Sequence, residues 1–452
     1  MNELRSLIVL AAALLTTPLA AQSKELEAAK ELARAVEAAS KGKYERAVGT
    51  YKKIARQYPE TGAGEVALAR SQTTAFLGQA DVVRNGPSSN RVDVVMMGDG
   101  YRLGDQNDFD DVAKSVPKVF EKHKLLGEYF AYHNFVRANL RSTDQGVSGF
   151  GREKDTALGG FVAGKVQGQV GVDRAKVHGW LAEIEENDGL VIAIVKAGSL
   201  GTGGAGIAAI GGRADDTLVH EWGHAFGGLS DEYTTFTGHR GPARDTINIA
   251  AKDDPAAAPW AHFIEQGIPG VGMYRGGDGR IKGVWRPTAS GCAMAGGQRF
   301  CPVCREAIVL RIHRHVDPID AHEPANAQPI AKRGKLTFEV TVMQPKSHEL
   351  HSTWYVLGGQ DKIRPTAPGP FADRRQRGKL AAIDARPADG PSSPGSARRR
   401  FSLDTGDLEP GIYQVVCRVE DRAKPSGQQH PWVLKDDDQL MWSERVWDVV
   451  VK

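Results

Sequence analysis

Cysteine is scarce in this chain: four among 452 residues, none of them ahead of Cys292. A disulfide-stapled scaffold is thereby excluded for everything before that position, and so is an inhibitory thiol switch there. An excess of one charge is also lacking. Lys and Arg total 58 against 55 Asp and Glu, a formal net charge of +3. Such a balance gives no strong pull toward nucleic acid or an anionic membrane. No segment approaches the roughly 18 uninterrupted apolar residues of a membrane helix, so no stable membrane insertion is expected. What remains is ordinary for a globular chain, 41% hydrophobic and 25% charged, and long enough for two or three domains.

The longest early apolar run is Leu7 to Leu15, preceded by Arg5 and followed by Pro18-Leu19-Ala20-Ala21. A positive start, a short apolar core and small residues at the end read as a secretory signal over residues 1–21. The expected location is periplasmic or extracellular. No cysteine follows for lipid attachment.

Residues 22–84 read as helical. Ala28, Leu32, Val36 and Ala39, then Ala47, Tyr51 and Ile54, recur at helical spacing, and Val66 to Phe76 continues it after a break at Pro59-Glu60-Thr61-Gly62. The placement of Gly42, Tyr44, Ala47, Tyr51 and Pro59 resembles tetratricopeptide hairpins. Only about one and a half repeats are present. The segment is therefore either a hairpin packed on the next domain or a surface that binds another protein. Asn85 to Asn90 reads as a linker.

Val92 to Met97 and Leu190 to Val195 read as buried strands, with a helix near Phe109 to His123 between them. This alternation predicts a mixed, largely parallel sheet flanked by helices over residues 90–320. Beyond Asp320 the period changes to two. Leu336–Val342, Ser352–Leu357, Phe401–Leu403, Tyr413–Val419 and Val446–Val451 predict a β-sandwich, immunoglobulin-like, over residues 330–452. Its Pro-, Gly- and Arg-rich stretch at 364–400 is a long exposed loop.

The most informative stretch is His220-Glu221-Trp222-Gly223-His224. Two histidines four apart on a helix share one face. Their imidazoles can hold one Zn²⁺, with Glu221 beside it as general base. Asp215 to Thr217 supply the N-cap, and Gly227-Gly228 lets the chain turn sharply. A catalytic zinc needs a third protein ligand. The slot three residues after Gly227 is Ser230, a poor ligand. Asp231 is preferred, Glu232 is the alternative, and whichever acid is unused can orient a ligand. Met294, in Cys292-Ala293-Met294, is the candidate for an apolar Met-turn beneath the metal. Tyr233, Tyr274 and Tyr101 are candidate hydrogen-bond donors to an oxyanion.

With these motifs the chain resembles the bacterial IgA-peptidase family of zinc metallopeptidases. The resemblance rests on Met97-Gly98-Asp99-Gly100-Tyr101, on His220 to His224 with Gly228-Leu229-x-Asp231-Glu232-Tyr233, and on Cys292-x-Met294 followed by Phe300 to Glu306. It implies an α+β, metzincin-like zincin domain, one catalytic zinc ion, and hydrolysis of peptide bonds in a protein or peptide substrate. It does not imply cleavage of IgA.

Several alternatives stay open. The chain can instead be a non-catalytic surface-binding protein with a structural or vestigial zinc site, or an amidase acting on cell-wall peptide. Cys292 is expected in a disulfide with Cys301 or Cys304, leaving Cys417 as a buried thiol or the partner of the remaining cysteine. A competing reading makes Cys292, Cys301 and Cys304 three ligands of a structural zinc. Gly201 to Gly206 fits GxGxxG, but the following helix carries the histidines and no ribose-binding acid follows, so dinucleotide binding is rejected. Ala205 to Gly211 is either a strand that pairs with extended substrate or a plain loop. Asp278 and Asp436–Asp438 are turns in preference to calcium sites.

Overall fold

The computed structural model describes residues 19–149, 151–162, 168–198, 200–235, 241–358 and 397–452. Most of the proposed signal and most of the Arg-rich loop lie outside the described residues. The fold is mixed α+β and divides into two compact units. One comprises residues up to Arg84, Asp93–Val119 and Asn134–Phe226; the other comprises Asn85–Val92, Phe120–His133 and Gly227–Lys452.

The first unit begins with α1 (Leu19–Ser40), α2 (Tyr44–Gln57) and α3 (Gly62–Arg70). α2 buries Tyr44, Ala47, Val48, Tyr51 and Ile54, the stripe that a 3.6-residue period places on one face. Thr61 caps α3 by accepting from the Gly64 N–H at 2.9 Å. The helical reading of 22–84 is corrected at its end: Ala75–Val83 is a strand, β1. The Ser71 hydroxyl and Gln72 amide both donate to the Leu68 carbonyl and close α3. Pairing with β3 (His133–Arg141), from Ala75 opposite Arg141 to Val83 opposite Phe135, then overrides local helical preference. The helices are docked on this strand and on α4 (Gln106–Lys122). Tyr51 Oη donates to the Leu77 carbonyl at 3.0 Å, and Tyr44 Oη to Asp110 Oδ2 at 2.7 Å. Asp110 also faces Arg137 at 3.2 Å and accepts from Asn139 Nδ2 at 2.9 Å. This buried network fixes the hairpin to the sheet, in place of a stack of further repeats.

The sheet has six strands in the order β1-β3-β2-β4-β6-β5, with β2 Val92–Asp99, β4 Leu190–Val195, β5 Thr202–Gly204 and β6 Ile207–Ile210. β2, β4 and β6 run parallel, whereas β1 pairs antiparallel with β3 and β5 with β6. Val95, Met97, Val191, Ala193, Val195, Ile207 and Ala209 share a core with Val177 and Leu181 of α5 (Arg174–Leu181). The reading of Ala205–Gly211 as the substrate-pairing strand is corrected. Ala205 and Gly206 form a left-handed turn (φ 43° and 85°), and β6 is flanked on both sides, so β5 is the sheet edge. α6 (Asp216–Ala225) follows and packs on β5 and β6.

The second unit holds α7 (Ala261–Glu265), the hairpin of β7 (Tyr274–Gly277) and β8 (Arg280–Arg286), and α8 (Pro302–His315). Two three-stranded antiparallel sheets follow. One has β9 (Ile319–Glu323), β10 (Lys335–Val342) and β12 (Arg398–Asp404); the other has β11 (His351–Gly358), β13 (Gly411–Glu420) and β14 (Trp442–Val451). Five strands coincide with those read from the period-two pattern. β9 begins at Ile319, ahead of the expected boundary at 330. The linker reading of Asn85–Asn90 is also corrected. Buried Asn90 donates to the Asp317 carbonyl at 3.2 Å and accepts from the Asp317 N–H at 2.7 Å. Arg91 binds Asp320 at 2.8 Å. A buried amide must be satisfied, and here both its ends are. Among the described residues, no helix is long and apolar enough to cross a membrane.

Candidate metal centre

α6 starts as its sequence predicts, with Asp215 accepting from the Thr217 N–H at 2.9 Å. It buries Leu218, Val219, Glu221, Trp222, Gly223 and Ala225. Trp222 stacks on Phe226, one turn on, with centroids 5.0 Å apart, so both rings share the buried side of the helix. His220 and His224 are left half-buried on the same face. Their Nε2 atoms are 3.2 Å apart. Two imidazole nitrogens bound tetrahedrally to zinc at roughly 2.0–2.1 Å would be about 3.3 Å apart, so the pair fits such an ion.

The edge strand β5 lies close against this helix. A Cβ on Gly203 would meet the Glu221 carbonyl oxygen at 2.4 Å and Glu221 Oε2 at 3.0 Å. Only glycine allows that approach. Glu221 itself is 6% exposed.

Past the helix, Gly228 adopts φ 65°, the left-handed turn that the sequence anticipates. Ser230 is engaged elsewhere. Its N–H donates to Asn248 Oδ1 at 2.9 Å, and its hydroxyl meets Thr246 Oγ1 at 3.1 Å. Asp231, the preferred third ligand, follows this turn at the start of the second unit and is half-buried. The alternative acid, Glu232, is drawn into a different group. It is buried, with Oε1 accepting from Asn248 Nδ2 at 3.1 Å and from Cys304 Sγ at 3.0 Å. Burial pushes its carboxyl up to about 7.

The expected disulfide is not formed: Cys292, Cys301, Cys304 and Cys417 are all free and buried. Cys292 Sγ and Cys304 Sγ are 3.8 Å apart, far beyond the ~2.05 Å of an S–S bond. Hydrogen bonds from the Cys301 and Cys304 thiols pull the Cys292 thiol down, whereas burial pushes Cys301 and Cys304 up. Cys417 lies on β13, a buried strand thiol.

Met294 is fully buried in the turn Ala293–Ala295, and its carbonyl accepts from the Glu232 N–H at 2.7 Å. Of the candidate oxyanion donors, Tyr233 is 40% exposed, Tyr274 is half-buried at the start of β7, and Tyr101 is buried against Phe109. Asp278 occupies a tight turn, and Asp436 accepts from the N–H groups of Leu440 and Met441, so both act as turn residues.

Two residues that the sequence reading passed over hold the surroundings together. Asn248 grips both the N–H and the carbonyl of Ser230 as well as Glu232. Asp99, inside the Met97–Tyr101 motif, accepts from Thr156 Oγ1 and from the N–H groups of Leu158 and Gly160. Nothing in the spacing around Asn248 marks it. Asp99 was flagged only as part of a motif.

Residues 80–270 match the family model described as IgA Peptidase M64. This stretch of the chain is similar to that family. It begins within β1 and contains α6 and Asp231, and it ends before the cysteine group and Met294. By its description the family is one of peptidases. A search among curated proteins found no match to the chain.

Proposed function

We propose that this chain is an exported zinc-dependent endopeptidase. The observation that carries the reading is the pair of imidazole nitrogens 3.2 Å apart on α6, with buried Glu221 between them, inside the peptidase-family stretch. His220, His224 and Asp231 are the residues that would hold the ion. When bound, zinc supplies a Lewis acid for the scissile carbonyl and lowers the pKa of a coordinated water.

Glu221 is the general base: it takes a proton from the attacking water and passes it to the leaving amine. Its burial beside β5 keeps the carboxylate in one orientation. The outer side of β5 is the edge on which an extended peptide can pair through its backbone. Tyr233 and Tyr274 are the candidate donors to the oxyanion, and Met294 the candidate apolar floor.

The domain reading is a metzincin-like catalytic domain followed by an immunoglobulin-like sandwich. The second part is supported by aromatic contacts joining the two three-stranded sheets: Phe338 with Trp447 at 5.2 Å and Phe401 with Trp354 at 5.5 Å. Export is supported by the apolar run Leu7–Leu15 and the small residues after it. The competing idea of a surface-binding protein gains no specific observation.

Glu221→Gln is the test. It should lower the rate of peptide hydrolysis by at least ~10²-fold while zinc content is unchanged. Unchanged hydrolysis in that variant overturns the role.

A further inference from the structure

We propose that Cys292, Cys301, Cys304 and Glu232 form a second, structural metal site for a thiophilic divalent ion, zinc above all. The site is distinct in its residues from the proposed catalytic one and does not depend on that reading.

The distances carry the argument. One ligand atom from each of the four residues lies within 4.8 Å of the others. Zinc bound at about 2.3 Å to sulfur and 2.0 Å to oxygen sets tetrahedral edges of about 3.8 Å between sulfurs and about 3.5 Å between sulfur and oxygen. Cys292 Sγ and Cys304 Sγ are 3.8 Å apart, and Cys301 Sγ is 3.6 Å from Glu232 Oε1. Cys304 Sγ lies closer to that oxygen, at 3.0 Å.

All four side chains are buried, and four protein ligands leave no open position for water. A closed set of this kind is structural and not catalytic. Thiolates are soft ligands and favour zinc over magnesium or calcium. Binding would release the three thiol protons, and the ion would offset much of the buried negative charge.

The surroundings are built to orient the ligands. The Cys301 N–H points at Cys292 Sγ at 3.5 Å. Cys301 is the N-cap of α8 and Cys304 lies in its first turn, where the helix dipole favours negative charge. Asn248 Nδ2 and Thr288 Oγ1 bond the two oxygens of Glu232. Such outer contacts are what fix a metal ligand. The site would tie together α8, the turn that carries Met294, and the loop that carries Asp231.

Metal analysis of the full chain decides the matter. His220→Ala/His224→Ala removes the catalytic ligands, and this variant should still retain about one zinc per chain. Loaded with Co²⁺ instead, it should show a near-ultraviolet thiolate-to-cobalt charge-transfer band. Adding Cys301→Ser/Cys304→Ser should abolish the band. Should the cysteine variants fail to fold, thiol labelling of the native histidine variant answers the same question: three of its four cysteines should become markedly more reactive when chelator is added. A histidine variant that binds neither zinc nor cobalt through thiolate, or whose cysteines prove to be oxidised to a disulfide, overturns the proposal. Activity of the wild-type chain is read separately, so failure of the peptidase reading leaves this result interpretable.

Discussion

The backbone N–H of Glu232 donates to the carbonyl of Met294 at 2.7 Å. The loop that carries Asp231 is thereby tied to the turn that carries the buried methionine. Further ties converge on the same four residues. Asn248 bonds both backbone groups of Ser230, the Asp278 N–H donates to the Asp231 carbonyl at 2.7 Å, and the Gly279 N–H donates to that of Tyr233 at 3.1 Å. A metal ligand on an otherwise irregular loop needs such restraint, because a ligand must be held within a fraction of an ångström.

Asn248→Ala tests that restraint. The variant takes the Asn248 partner from the Ser230 N–H and carbonyl, while Glu232 Oε1 keeps Cys304 Sγ as a donor. Each buried group left unpaired costs about 1–3 kcal/mol. We expect a lower thermal midpoint, weaker zinc binding in a chelator competition, and reduced hydrolysis. A variant with wild-type zinc affinity and activity would show that the loop is held without Asn248.

Gly203→Ala tests the close approach of β5 to α6. The added carbon would lie 2.4 Å from the Glu221 carbonyl oxygen and 2.9 Å from His224 Cβ, so strand or helix must move. Overpacking of this sort costs about 1–3 kcal/mol. Hydrolysis should fall more than stability, since the displaced segment carries the proposed base, Glu221, and the proposed ligand His224. Melting curves together with kcat/KM check this; an unchanged kcat/KM contradicts it.

Much of this was legible in the sequence where the signal is local. β4 is a continuous apolar run, and β10 and β13 follow period two, because burial on two faces or on one is written directly into the residues. That His220 and His224 share one face of α6 follows from their spacing of four. β1 was missed because its pairing with β3, more than 50 residues away, decides its conformation. The parting of Asp231 from Glu232 was only partly legible. Adjacent acids look alike in sequence, and the direction of Glu232 depends on Asn248, Met294 and three distant cysteines. Cys292 with Cys301 and Cys304 reads as a disulfide or as three metal ligands, but the acid beside them, Glu232, lies 69 residues before Cys301 and 72 before Cys304 and joins the group only once the chain has folded.

Away from the centre, buried His348 predicts a pH dependence of stability. Its Nδ1 faces Glu128 and its Nε2 faces Asp421, both at 2.8 Å. Burial alone would lower its pKa, but the two carboxylates outweigh that and raise it to about 9. Burial works against the charge of Asp421 too, yet hydrogen bonds from His313 and His348 hold it well below the usual carboxylate range. The His348 contribution is fully present below the unfolded value near 6.5 and is lost as pH rises through about 9. The Asp421 contribution is present above the unfolded carboxylate value and is lost as pH falls. Stability should peak between roughly pH 5 and 6.5, and the loss by pH 9–10 should amount to about 3 kcal/mol at most. His348→Gln should flatten the alkaline side of the melting profile. An equally steep alkaline loss in that variant would contradict the assignment.

On the proposed reading, peptide hydrolysis depends on a metal held by His220, His224 and Asp231. Its most direct test is digestion of a peptide library by the purified full chain, read by mass spectrometry, with and without a chelator. Cleavage should stop on chelation and return when stoichiometric zinc is restored to the wild type but not to His224→Ala. Cleavage that persists after complete metal removal, or that returns in His224→Ala as in the wild type, would contradict it.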